Sequence, residues 1–176
     1  MRPRDLGIVA FALILIGVLV YAWIVPSGYN QAPTVSFNTL KGEHVRLATL
    51  RGKPIFLTFW ATSCVGCMKE MPHLIDLHNE LNKKGLEIIG VAMDYDPPGQ
   101  VLETVRRRNV PYTITLDSDG SIAKAFGGVR LTPTSYLIDP NGRVVLKKLG
   151  EVDIEKLRRD ILDMIGSEAD LATLES

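Results

Sequence analysis

The sequence predicts an α/β domain, with helices packed on both faces of a sheet, behind a single membrane-spanning helix. Three observations point there. Two short, almost uninterrupted apolar runs, Pro54 to Trp60 and Leu86 to Met93, have the character of strands buried on both faces. Segments with apolar residues at helical spacing alternate with them, and a hairpin and an amphipathic helix close the chain. Ahead of all this, Leu6 to Val25 holds no charged side chain. At about 1.5 Å per residue it extends about 30 Å, the depth of a hydrocarbon core.

Taken in order, Arg2 and Arg4 precede that apolar run, and no Lys or Arg follows it until Lys41. The asymmetry puts residues 1–5 in the cytoplasm and everything after Val25 on the other side. Tyr21 and Trp23 sit near the far end, where aromatic rings favour the interface. A cleaved signal peptide would have a shorter apolar core and a small-x-small site. Val25-Pro26-Ser27-Gly28-Tyr29 offers no such site, so residues 6–25 are read as a retained single-pass anchor. Residues 26–33, rich in Pro, Gly, Ser, Asn and Gln, make a linker.

The domain is placed at residues 34–166. Val35 and Phe37, then Val45 and Leu47, alternate around Lys41-Gly42-Glu43, the pattern of a hairpin. After the first buried strand, Met68, Met71, Leu74, Ile75, His78 and Leu81 recur at helical spacing from about Cys64 to Lys84. Gly85 ends this helix, and Pro72 within it should kink it. Beyond the second buried strand come a helix over Gly99 to Arg108, a strand over Tyr112 to Leu116, and a short helix from Ser121 to Phe126 stopped by Gly127-Gly128. Ser135 to Ile138 is a further strand. The turn Asp139-Pro140-Asn141-Gly142 returns it through Arg143 to Leu149. Ile154, Leu157, Ile161, Leu162 and Ile165 give the closing helix, and residues 167–176 read as a tail.

Composition narrows the function. Basic and acidic residues balance at 20 each, which gives no support to a nucleic-acid partner. There are only 2 cysteines, and they stand too close together to staple a fold. Cys64-Val65-Gly66-Cys67 falls where a buried strand turns into a helix. Cys64 would then lie at the helix N-terminus, where free N–H groups and the helix dipole favour a thiolate. Cys67, one turn on, could resolve a mixed disulfide. Half a zinc site is the alternative, but a structural zinc needs four ligands. No second Cys pair exists, and the 3 His are scattered.

The run Phe59-Trp60-Ala61-Thr62-Ser63-Cys64-Val65-Gly66-Cys67-Met68-Lys69-Glu70-Met71-Pro72 closely resembles the motif of the TlpA-like thioredoxins, membrane-anchored extracytoplasmic proteins that include the thiol reductases of cytochrome c maturation. Leu131-Thr132-Pro133-Thr134-Ser135-Tyr136-Leu137-Ile138-Asp139 is similar to their second signature, and Leu50-Arg51-Gly52-Lys53-Pro54 and the early hairpin also fit. The resemblance implies a thioredoxin fold with an N-terminal β-hairpin and a central strand–helix insertion near Met93 to Tyr112. It implies that Cys64 attacks, that Cys67 resolves, and that Pro133 is a cis-proline beside the disulfide. Glu70 would influence cysteine protonation. Thr132 would pair its backbone with an extended client, and Trp60, Ser63, Val65 and Gly66 would line the client's path. Trp60, like Phe59, is also counted as core and site wall.

The same resemblance implies a protein-disulfide reductase of the bacterial cytoplasmic membrane with its catalytic domain on the periplasmic side. Its client would be an exported protein with a disulfide, such as apocytochrome c, and its electrons would come from a membrane thiol carrier of the CcdA or DsbD kind. No nicotinamide or flavin motif occurs, so the Cys64–Cys67 disulfide is the redox group and no other cofactor or metal is expected. Some positions depart from the pattern. Ser63 and Gly66 stand where many relatives have tryptophan and proline, which bears on potential rather than on reaction class. Thr58 takes the place of thioredoxin's buried aspartate.

A disulfide-introducing oxidase would use the same residues. A copper-handling module would want a distant downstream histidine, and none follows His78. A peroxidase would want threonine at position 61, which is alanine. Arg106-Arg107-Arg108 reads as a solvated helix end. Asp94 and Asp96 are loop carboxylates, His78 a satisfied core histidine, and His44 an exposed hairpin residue.

Overall fold

The computed structural model describes residues 31–174, with side chains to residue 167. The segments placed as cytoplasmic terminus and membrane anchor, and most of the linker, lie outside these. Among the described residues no helix is long and apolar enough to cross a membrane.

A short antiparallel hairpin, β1 (Ser36–Asn38) and β2 (His44–Arg46), opens the domain with Phe37 opposite Val45. Strand β3 (Ile55–Trp60) leads into helix α1 (Val65–Leu81), and β4 (Glu87–Ala92) returns parallel to β3. Helix α2 (Pro98–Arg107), β5 (Thr113–Leu116), α3 (Ser121–Ala125), β6 (Thr134–Ile138), β7 (Val144–Leu149) and α4 (Ile154–Leu174) follow. The main sheet has the order β5-β4-β3-β6-β7. β3, β4 and β5 run parallel, while β6 and β7 are antiparallel to their neighbours. The hairpin attaches through a bridge between Thr39 and Thr115 beside β5, and Gln31 bridges to Arg143 just before β7.

All six residues of β3 are buried. Alternation then sends Phe56 and Trp60 to one face, with Met71, Leu74 and Leu77 of α1 and Leu157 and Ile161 of α4. Ile55, Leu57 and Phe59 go to the other, with Ile122, Phe126 and Phe37. A strand covered on both sides has no polar face to show, which is why its sequence is a continuous apolar run. Gly90 in β4 answers a close approach. A Cβ there would lie 2.6 Å from Ile114 Cδ1 and 3.1 Å from Trp60 Nε1.

Several expectations need correction. The stretch Met93 to Tyr112, placed as a strand–helix insertion, holds helix α2 and no strand, and β5 follows it at Thr113. Pro97 and Pro98 deny N–H donors to any strand there, and Pro98 suits a first helical turn instead. Helix α4 runs through Gly166 to Leu174, where the sequence suggested a tail. One interior glycine costs a helix only about 1 kcal/mol. His78 is half-buried on α1, but its Nδ1 has no hydrogen-bond partner, so it is not a satisfied core histidine. Burial holds its pKa below the ordinary imidazole value.

Candidate active site

Strand β3 ends at Trp60, and the chain must turn sharply to enter α1. Cys64, with extended backbone, is the N-cap of α1, and its Sγ accepts the Cys67 N–H at 3.1 Å. Cys64 and Cys67 are joined as a disulfide with Cα atoms 5.2 Å apart. The two sulfurs are unequal in access: Cys64 is half-buried, whereas Cys67 faces the α1 core and is only 4% exposed. An entering thiol or disulfide therefore meets Cys64 first. The N–H that bonds Cys64 Sγ is also the donor best placed to hold a thiolate there after reduction.

The turn before Cys64 is braced from the loop that follows β4. Asp96, buried, accepts the Thr62 N–H at 2.6 Å and the Thr62 Oγ1 hydroxyl at 2.5 Å. Facing the disulfide, the Thr132–Pro133 peptide bond is cis, and Pro133 is buried. The Tyr95 hydroxyl lies 3.4 Å from Thr132 Oγ1. Around this loop and the disulfide, Val65, Tyr95 and Leu131 are strongly exposed apolar side chains.

Glu70 lies one turn beyond Cys67 and is buried, unlike a solvated helix glutamate. Its Oε1 accepts the Val152 N–H at 2.8 Å. Its pKa is raised: burial is the largest cause and the Glu151 carboxylate adds to it, while the Val152 N–H and His73 oppose. Tyr112, on the chain leading into β5, is buried and has its phenol pKa pushed up by burial and by Glu70. At the thioredoxin aspartate position, Thr58 Oγ1 and Ser135 Oγ pair at 2.9 Å in the buried seam between β3 and β6. That seam is neutral and internally satisfied.

Among the sequence candidates, Cys64, Cys67, Ser63, Val65, Gly66, Thr132 and Pro133 gather at one end of the sheet. Trp60 does not present itself to a client. It is 3% exposed, because alternation along β3 turns its indole into the core beside Gly90. Sequence reading assigns no site role to Asp96, Arg108, Glu151 or Val152, all of which approach the head of α1 from elsewhere in the chain. Asp96 had one faint signal, an acidic residue immediately after a buried strand.

Comparison with known proteins agrees with this geometry. The AhpC/TSA family matches residues 29–147. The thiol-disulfide oxidoreductase ResA of Bacillus thuringiensis is 36% identical over 129 residues, 73% of this chain and 73% of the relative. A solution structure assigned as a thioredoxin from Neisseria meningitidis superposes with a TM-score of 0.72 at 34% identity, over 83% of this chain and 95% of the other. A crystal structure assigned as the thiol:disulfide interchange protein DsbE from Chlorobium tepidum gives 0.72 at 28% identity, over 79% and 98%.

Proposed function

The chain belongs to the AhpC/TSA family and is a thiol-disulfide oxidoreductase, and from that premise we propose that it reduces disulfides in exported client proteins. The observation that carries the proposal is the unequal pair at the head of α1: an accessible Cys64 whose sulfur already receives a helix N–H, and a buried Cys67 one turn behind it.

In the working direction the pair begins as a dithiol. The Cys64 thiolate attacks one sulfur of the client disulfide, forming a mixed disulfide and releasing the other client sulfur, which takes a proton. Cys67 loses its proton and attacks Cys64 Sγ, forming the Cys64–Cys67 bond and expelling the second client thiol. Two electrons and two protons pass to the client, and the protein is left oxidised. Glu70 takes the proton from Cys67 and yields it to the departing client thiolate; burial, which holds its carboxyl above the usual carboxylate range, makes it a better proton acceptor than an exposed glutamate. The dithiol is restored by a membrane thiol carrier of the CcdA or DsbD kind, and no cofactor besides the cysteine pair takes part. The uncharged run at residues 6–25 anchors the chain in a bacterial cytoplasmic membrane, with the domain on the extracytoplasmic side. Apocytochrome c, whose haem site presents two closely spaced cysteines, is the client we favour.

The test is to trap Cys64 and Cys67 in living cells with an alkylating mass tag. A mostly reduced pair in an oxidising compartment is the expected result. A mostly oxidised pair that stays oxidised when the thiol carrier is overproduced would turn the direction round, to a disulfide donor.

A further inference from the structure

Glu151 stands where the two loops of the site meet. A Cβ built on Gly66 would lie 3.1 Å from Glu151 Oε1, 3.4 Å from its Cγ and 3.5 Å from Pro133 Cδ, so the three residues converge on one point beside the disulfide. The backbone fixes this position from both sides. Gly150 N–H donates to the Pro133 carbonyl at 2.9 Å, and Val152 N–H donates to Glu70 at 2.8 Å. The Glu151 side chain is nonetheless exposed, and it enters no ion pair among the described residues. Val65, Tyr95 and Leu131, exposed on the same rim, are uncharged, and the exposed Arg130 beside Leu131 forms no ion pair with Glu151.

A client whose sulfur reaches Cys64 must lay its chain between the Cys64–Cys67 turn and the cis-proline loop, across the point where the Glu151 carboxylate stands. We propose that Glu151 is a specificity-determining residue, favouring client disulfides flanked by a basic side chain over those flanked by an acidic one. The inference rests on the reductase reading above and names the client chemistry that reading leaves open. Because the carboxylate is solvated, the effect is modest: an exposed ion pair changes a rate or affinity by about two- to fivefold, and it fades as salt shortens the Debye length.

The test uses the full chain, purified in detergent and reduced, with two peptide disulfides identical except for Lys or Glu beside each cysteine. Each rate is divided by the same peptide's rate with dithiothreitol, which removes differences in intrinsic disulfide reactivity. The expected Lys-to-Glu ratio is about two to five at low salt. It should fall towards one in Glu151→Gln and below one in Glu151→Lys, and shrink in the native protein at high salt. Equal normalised rates in the native protein, or a preference that survives both substitutions, would overturn the assignment and leave the reductase reading intact. Failure to reduce either peptide would overturn both.

Discussion

Arg108 donates from Nη1 to the backbone carbonyl of Met68 at 3.2 Å, and Met68 is the residue four before Pro72. A proline inside a helix has no N–H to give to that carbonyl. The guanidinium at the end of α2 thus supplies the bond that the α1 sequence withholds, one turn below the disulfide. Arg106 and Arg107 remain exposed as the sequence suggests, whereas Arg108 is turned inward.

Removing that donor leaves a partly buried carbonyl unpaired. Arg108→Ala should therefore lower stability by about 1–3 kcal/mol in urea denaturation. Pro72→Ala in the Arg108→Ala background should recover part of it, because residue 72 can then serve the carbonyl itself. Additive losses from the two changes would count against the pairing.

Cys67→Ser should strand a client on Cys64 as a mixed disulfide, visible as a reducible adduct on non-reducing gels and by mass. Cys64→Ser should leave no adduct and no turnover. An adduct carried by Cys67 instead would reverse the assigned roles.

Glu70 titrates above its ordinary value in the folded protein. Between the unfolded and folded pKa values the native state binds more protons than the unfolded one, so stability falls as pH rises through that window. Glu70→Gln should remove this component and flatten the profile there, as read from urea midpoints at stepped pH. The same substitution should shift the pH dependence of thiol alkylation at Cys67. An unchanged thiol profile would leave Glu70 a structural role only.

Gly90→Ala should cost about 1–3 kcal/mol, because the added carbon meets Ile114 and the Trp60 indole in a packed layer. Ile114→Val in the same chain should return part of the loss. Thermal melts of the two variants decide it.

Much of this architecture could be read directly from the residues. The strands β3 and β4 announced themselves because burial on both faces removes polar residues from the chain. Helix α1 did so because its core side repeats Met71, Leu74 and Leu81. The cysteine pair and the loop around Pro133 were legible because local motifs carry them. What escaped notice was what crosses the sequence: Asp96 reaches back 34 residues to Thr62, Arg108 reaches 40 to Met68, and Val152 reaches 82 to Glu70. Such contacts obey no period and depend on where the sheet sets its loops. Trp60 was placed both in the core and on the client's path, and its burial fits only the first. In a run where every position is buried, the sequence does not say which end of an indole meets water.

The two borders of the main sheet are treated differently. Beside β5 the border is partly occupied by the chain's own Thr39 and Leu40, which bond Thr115 and Ile114. On the far side, β7 carries exposed Lys147 and Lys148 just before its last residue, Leu149. A second copy adding its own β7 there in antiparallel fashion would bring lysines against lysines, a penalty that blunts edge-to-edge joining. The lysines would keep two copies of the domain apart as individual molecules, each with its disulfide free for exchange.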